Sequence, residues 1–146
     1  MCIRDRLVDG PEKVSGRAKY TADLIAPGML AGRILRSPYS HAEILEVDVS
    51  EAAKLPGVKS IVTGADCDKG FGVLPIARTE HPLARDRVRY CGEPVAAVAA
   101  IDDATAKEAL KRIVLKVREL PAYHTVRAAM ASDAIDLHER LSLIHI

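Results

Sequence analysis

The side chains able to do chemistry stand singly along this chain. His41 follows Arg36-Ser37-Pro38-Tyr39-Ser40 with no carboxylate or thiol at a ligand spacing, so it reads as a hydrogen-bonded loop histidine and not as a base or ligand. His81 and His124 are lone residues near prolines, and His138 lies close to the C-terminal end. No pair has the His-x-x-x-His spacing that places two imidazoles on one helix face, so no protein-held metal is expected. Cys67 and Cys91 are far apart and form no Cys-x-x-Cys, which argues against a disulfide framework, a zinc site or an iron–sulfur site. They read as buried or half-buried free thiols in a reducing compartment, the cytoplasm.

Gly70-Phe71-Gly72 and Gly92 lack the further glycines of a phosphate-cradling loop and read as turns. Glu93 sits at a turn before an apolar run. A desolvated carboxylate there would serve as a general base, but such residues more commonly cap the turn by accepting from backbone N–H groups. Arg33, Arg36, Arg85, Arg87 and Arg89 could hold an anionic substrate tail. The alternation of Arg87 and Arg89 more simply puts two charges on the exposed face of a strand. The chain itself is therefore expected to carry no catalytic, cofactor-binding or metal-ligating residue.

The elements that would position these groups follow from periodicity and punctuation. Residues 11–20 are polar, with Gly10 and Gly16 as punctuation, and read as an extended leader. Pro27-Gly28 is a turn. Residues 29–35 read as a strand stopped at Pro38. Residues 43–49 alternate, with Leu45, Val47 and Val49 inward and Glu46 and Asp48 outward. Ser50 is placed as the cap of a short helix ended by Pro56-Gly57. A strand over 58–63 and a long loop over 64–80 follow. Residues 87–90 form a short strand, and Cys91-Gly92-Glu93 a turn.

Residues 95–101 are small and apolar without interruption, as a central strand covered on both faces requires. Asp103 is placed as the cap of the clearest helix, whose stripe is Ala106, Ala109, Leu110 and Ile113, with Glu108 and Arg112 as an i,i+4 pair. Residues 114–118 are the last strand, before Pro121, and 125–130 form one or two helical turns. The order predicts an α+β domain with a mixed sheet and two main helices.

The chain has 146 residues, enough for one core. Its two ends are coupled in an unusual way. Met1-Cys2-Ile3-Arg4-Asp5-Arg6 can be encoded by a string whose reverse complement translates as Leu-Ser-Leu-Ile-His-Ile, the residues at 141–146. That is the pattern of adapter read-through at both ends of a short DNA insert, so residues 1–6 and 141–146 are expected to be non-native and 7–140 to be an internal fragment of a longer protein. Setting Arg4, Arg6 and Asp5 aside leaves 19 basic against 19 acidic residues. With no charge block, one Phe and no Trp, neither nucleic acid nor an anionic membrane is an expected partner. The longest apolar run, residues 94–101, is too short to span a bilayer.

Several blocks, in order, resemble one family. They are Asp9-Gly10-Pro11-Glu12-Lys13-Val14-Ser15-Gly16-Arg17-Ala18-Lys19-Tyr20-Thr21-Ala22-Asp23, then Gly32-Arg33-Ile34-Leu35-Arg36-Ser37-Pro38, then Leu55-Pro56-Gly57-Val58, and Val88-Arg89-Tyr90-Cys91-Gly92-Glu93-Pro94-Val95-Ala96. Together they resemble the α/β hammerhead domain at the start of the molybdopterin-binding large subunit of the xanthine dehydrogenase and aldehyde oxidase family. Phe71-Gly72-Val73-Leu74-Pro75-Ile76-Ala77, Pro82-Leu83-Ala84-Arg85-Asp86 and Leu120-Pro121-Ala122-Tyr123 look most like the alpha subunit of 4-hydroxybenzoyl-CoA reductase.

The resemblance implies an oxidoreductase whose molybdenum is held by a pterin dithiolene in the full-length subunit, with iron–sulfur clusters and FAD on partner subunits. For the reductase branch it implies an aromatic acyl-CoA substrate that loses its phenolic hydroxyl to give benzoyl-CoA. For a xanthine- or aldehyde-oxidising relative it implies hydroxylation; a non-enzymatic interaction module of the same fold is the remaining alternative. The family's pterin loops and active-site Glu match no residue here. Three places depart from family habit: Ser40 stands where Ala is usual before the His, Glu43 where a basic residue is usual, and Val117-Arg118 where an aromatic–acidic pair is common.

Overall fold

The computed structural model describes residues 8–72 and 79–138. Both adapter-like ends, and residues 73–77 of the Phe71-to-Ala77 block, lie outside the described residues. In chain order the elements are α1 (Gly10–Val14), β1 (Ala31–Arg36), β2 (Ala42–Asp48), α2 (Ser50–Ala53), β3 (Val58–Thr63), β4 (Arg87–Val88), β5 (Pro94–Ala100), α3 (Asp103–Arg112), β6 (Val114–Glu119) and α4 (Val126–Ala129), with 3-10 turns at Thr21–Asp23 and Gly64–Asp66.

The strands form two three-stranded sheets, ordered β1-β5-β3 and β4-β2-β6, and every pairing within them is antiparallel. This replaces the single mixed sheet expected from the element order, while the α+β class holds. Only residues 49–57 separate β2 from β3, fewer than the ~12 that a parallel crossover takes, so those two strands enter different sheets.

One core lies between the β1-β5-β3 sheet and the helices α2 and α3, built on Ala52, Ala96, Val98, Ala109 and Ile113. The other gathers Ala42, Ala84, Val88 and Val95. Val47 packs against both and joins them. β5 is central, as its apolar run predicts, but it is covered on one face only. Val98 and Ala100 are buried, whereas Ala97 and Ala99 on the other face are half-buried, and Ile101 lies beyond the strand and is exposed.

In β2 the expected alternation breaks at one residue. Ile44 pairs with Val117 and Glu46 with Lys116, so Leu45 has no partner and sits in a bulge. Two residues of β2 there oppose one bond step of β6, which turns Leu45 outward, 59% exposed, and puts Ile44 in the core instead. Leu45→Lys is therefore expected to change unfolding free energy by less than about 0.5 kcal/mol, and Val47→Lys to cost about 2–3 kcal/mol. Chemical denaturation of the two variants distinguishes this register from plain alternation, which would make the two costs alike.

Two of the three departures from family habit face each other. Glu43 and Arg118 are register partners across β2 and β6, and their side chains form an ion pair. A reversal of both charges preserves the cross-strand attraction, worth about 0.2–1 kcal/mol.

Helix starts differ from expectation by one residue or more. Asp102, not Asp103, caps α3: its carboxylate accepts from Thr105 N–H. Asp48 likewise accepts from Ser50 N–H at 2.9 Å, so Ser50 is the first helical residue of α2 and not its cap. The leader expected at 11–20 contains the short helix α1, started by Pro11, whose missing N–H costs nothing in a first turn, and tied by Lys13 to Asp9 at 2.5 Å.

Asp103 is left free to accept from Arg33 of β1 at 2.5 Å and from Lys107 at 2.8 Å. Hydrogen bonds from Arg33 and then Lys107 hold its carboxyl down to about 2. A folded-state value below the unfolded one, about 3.9, stabilises the fold above roughly pH 4, and that stabilisation is lost as pH falls toward 2. Melting midpoints of the native chain and Asp103→Asn should thus differ at pH 6 and converge by about pH 2. Parallel profiles throughout would rule out the linkage.

Candidate functional site

Most of the residues weighed for chemistry are tied to the domain's own backbone or carboxylates; His81 and His138 are not. His41, 4% exposed, lies at the start of β2 with its Nδ1 2.7 Å from Pro121 O, and its own carbonyl accepts from Leu120 N–H. It joins the 120–121 corner to the sheet, as a hydrogen-bonded loop histidine should. Its Nε2 is buried with no partner among the described residues. Glu93 accepts from Arg89 N–H and so closes the turn that it was expected to cap.

Ser37, buried, sends its N–H to Glu93 O and accepts from Gly92 N–H. This binds the Arg36-Ser37-Pro38 block to the Cys91-Gly92-Glu93 block. Gly92 takes φ +91° at that turn, where a side chain would strain the backbone. Cys91, expected buried or half-buried, is exposed at the same corner because Gly92 swings the turn outward; its Sγ lies 3.5 Å from Pro38 O. Cys67 is half-buried.

The arginines are engaged internally. Arg33 holds Asp103, Arg36 donates to Gly92 O at 2.8 Å, and Arg85 lies 3.9 Å from Asp86. Arg87 and Arg89, expected on an exposed strand face, are half-buried: the strand ends at Val88, and both guanidiniums reach carbonyls of the C-terminal segment, at Asp136 and Leu137. No anion-binding fork is left open among them. His124 is exposed.

The two exceptions meet. His81 and His138, 57 positions apart and each read as lone, line one cleft of about 380 Å³ with Glu80, Arg89, Tyr90 and Glu93. Both have Nδ1 buried without a partner among the described residues. Burial, then the Arg89 charge, pushes the His138 imidazole below its usual value. No signal in the sequence joins these two histidines, because the fold alone brings the 79–82 loop against residues 137–138. Of the two carboxylates lining the cleft, that of Glu93 is committed to Arg89 N–H. Among the described residues no three His, Cys, Asp or Glu side chains are grouped to hold a metal. Among the described residues the cleft presents no nucleophile with an oriented base.

Comparison with known proteins supplies what this geometry lacks. Residues 15–121 match the family described as "aldehyde oxidase and xanthine dehydrogenase, a/b hammerhead domain". The chain is 41% identical over 138 residues to a probable xanthine dehydrogenase subunit of Bacillus subtilis, covering 94% of this chain and 18% of that protein. It is 35% identical over 133 residues to the nicotinate dehydrogenase large molybdopterin subunit of Eubacterium barkeri, covering 90% and 31%. The fold matches the aldehyde oxidoreductase of Desulfovibrio gigas with a TM-score of 0.83 at 31% identity, over 91% of this chain and 16% of that one. The chain thus spans about a fifth to a third of these curated relatives, and it belongs to the aldehyde oxidase and xanthine dehydrogenase a/b hammerhead family.

Proposed function

We propose that this chain is the hammerhead portion, about residues 7–140, of the large subunit of a molybdenum hydroxylase of the xanthine dehydrogenase and aldehyde oxidase type, and that its role is structural. One observation carries this reading: 94% of the chain aligns with a xanthine dehydrogenase subunit, yet its arginines, Glu93 and His41 are tied to the domain's own backbone or carboxylates. A molybdenum–pterin cofactor does not fit these residues, since the guanidiniums that would hold its phosphate are engaged elsewhere. The cofactor belongs to the remainder of the subunit, and iron–sulfur and FAD groups to partner subunits. Among the described residues no helix is long and apolar enough to cross a membrane. We place the enzyme in the cytoplasm, where the free thiols of Cys67 and Cys91 stay reduced.

A second reading, the alpha subunit of 4-hydroxybenzoyl-CoA reductase with an aromatic acyl-CoA substrate, rests on the Phe71-to-Ala77, Pro82-to-Asp86 and Leu120-to-Tyr123 blocks alone. The relatives named above act, by their names, on xanthine, nicotinate and aldehydes, which favours the hydroxylase.

The test begins with the DNA flanking this sequence. The complete subunit, expressed with its partners, should bind molybdenum and reduce a dye with a purine, N-heterocycle or aldehyde as donor. Oxidation of reduced dye dependent on 4-hydroxybenzoyl-CoA would install the second reading. The purified 146-residue chain should contain no molybdenum by elemental analysis; stoichiometric metal would overturn the structural role.

A further inference from the structure

Among the described residues, none forms a covering layer on one face of the β1-β5-β3 sheet. Register places Gly32, Ala99 and Ser60 in one row across the three strands, and Ile34, Ala97 and Val62 in the next. The alternate rows, Arg33-Val98-Ile61 and Leu35-Ala96-Thr63, face α3 and the first core. The uncovered rows form a shallow trough of about 380 Å³, and Ile34 in its wall is 45% exposed. No residue of the two rows carries a charge. Arg33, which also lines the trough, is paired with Asp103 at 2.5 Å. A Cβ added at Gly32 would meet nothing within 4 Å.

We propose that this face is an internal docking surface of the large subunit, covered by an apolar, uncharged element of the same polypeptide that lies outside this chain; the inference rests on the family reading given above. Two arguments select that occupant. The solved relative holds the same fold as 16% of a much longer chain, so most of such a subunit is available to cover it. The surface is also too slight for a free partner. Six small or medium side chains offer far less than the ~800 Å² per side that a stable complex of separate molecules buries. A tethered element needs no such area, because the connecting chain keeps its effective concentration near millimolar or above. A charged or iron–sulfur-bearing partner finds no complementary group in these rows.

Ala99→Glu and Ala99→Val test the proposal in two settings. In the 146-residue chain both should leave the melting midpoint and the monomeric state unchanged, because the site faces water. In the complete subunit Ala99→Glu should cut the yield of soluble, molybdenum-loaded protein at least tenfold, and Ala99→Val should lower its melting midpoint. Unchanged yield in the complete subunit would overturn the proposal. So would loss of folding in the short chain, which would make the face part of its own core. A concentration-dependent dimer of the short chain abolished by Ala99→Glu would assign the face to a second copy and also overturn it. A native complete subunit that folds well but never binds molybdenum would instead sink the family-based function and leave the docking result readable by yield alone.

Discussion

Val98→Asp abolishes cooperative folding of the chain, on the expectation set by its surroundings. Val98 is 2% exposed at the middle of β5, with β1 and β3 on either side and Ala109 of α3 and Ile113, just past its end, above. The cluster around it contains no hydrogen-bond donor. Arg33 is its register partner, but that guanidinium reaches out of the core to Asp103, and a short aspartate cannot follow it there. A buried carboxylate without a partner costs about 4–5 kcal/mol or more, comparable with the whole stability of a small domain. Ala99→Asp, one residue along the same strand but on the open face, should melt near the native midpoint. The decisive measurement is thermal melting by circular dichroism of the two variants side by side. Equal midpoints would mean that the two faces of β5 are not distinguished in solution.

That contrast shows what periodicity reports and what it does not. The unbroken small apolar run of 95–101 correctly located a central strand, and the Ala106-Ala109-Ile113 stripe correctly located the helix over it. But an apolar run with no alternation says that neither face meets bulk water in the finished protein; it does not say which layer lies in this chain. For one face the cover is α3, and for the other the two rows are left open. In the same way the strict alternation of 43–49 located β2 while hiding its bulge. A one-residue bulge reverses the sense of alternation, and Leu45 looked inward for that reason alone.

The helix caps failed by single positions because two adjacent acids, Asp102 and Asp103, satisfy the same capping pattern; only the backbone shows that the first caps while the second pairs with Arg33. Local parts were legible residue by residue: His41 is hydrogen-bonded to a backbone carbonyl, Glu93 closes its turn and Gly92 makes that turn at positive φ, whereas Gly70 and Gly72, expected as turns, lie in none. The cleft uniting His81 with His138 was not, since proximity between residues so distant in sequence is a property of the tertiary fold.

The same limit applies most sharply to Gly64. In the sequence it is one glycine of a loop, with nothing to set it apart from Gly70 or Gly72. In the fold it is buried at the start of the 3-10 turn after β3, and a Cβ built there would lie 2.1 Å from Ala84 O and 2.8 Å from Arg85 Cα. Those neighbours are backbone and cannot rotate away. Nor can the 82–85 segment withdraw freely, because Ala84 N–H donates to Pro94 O at 2.7 Å and the Ala84 methyl fills the second core beside Ala42, Val88 and Val95. Gly64→Ala must therefore break that hydrogen bond or open that core. Overpacking commonly costs about 1–3 kcal/mol, and an immovable backbone neighbour places this case at about 3–5 kcal/mol. Gly32→Ala provides the control: its added methyl meets nothing within 4 Å and its backbone needs no positive φ, so it should change stability by less than about 0.5 kcal/mol or raise it by restricting the unfolded chain. Urea denaturation of the two single variants gives both numbers. If Gly64→Ala unfolds at the same concentration as Gly32→Ala, the close approach of residues 64 and 84 does not exist in solution, and the packing of the second core against that turn must be redrawn.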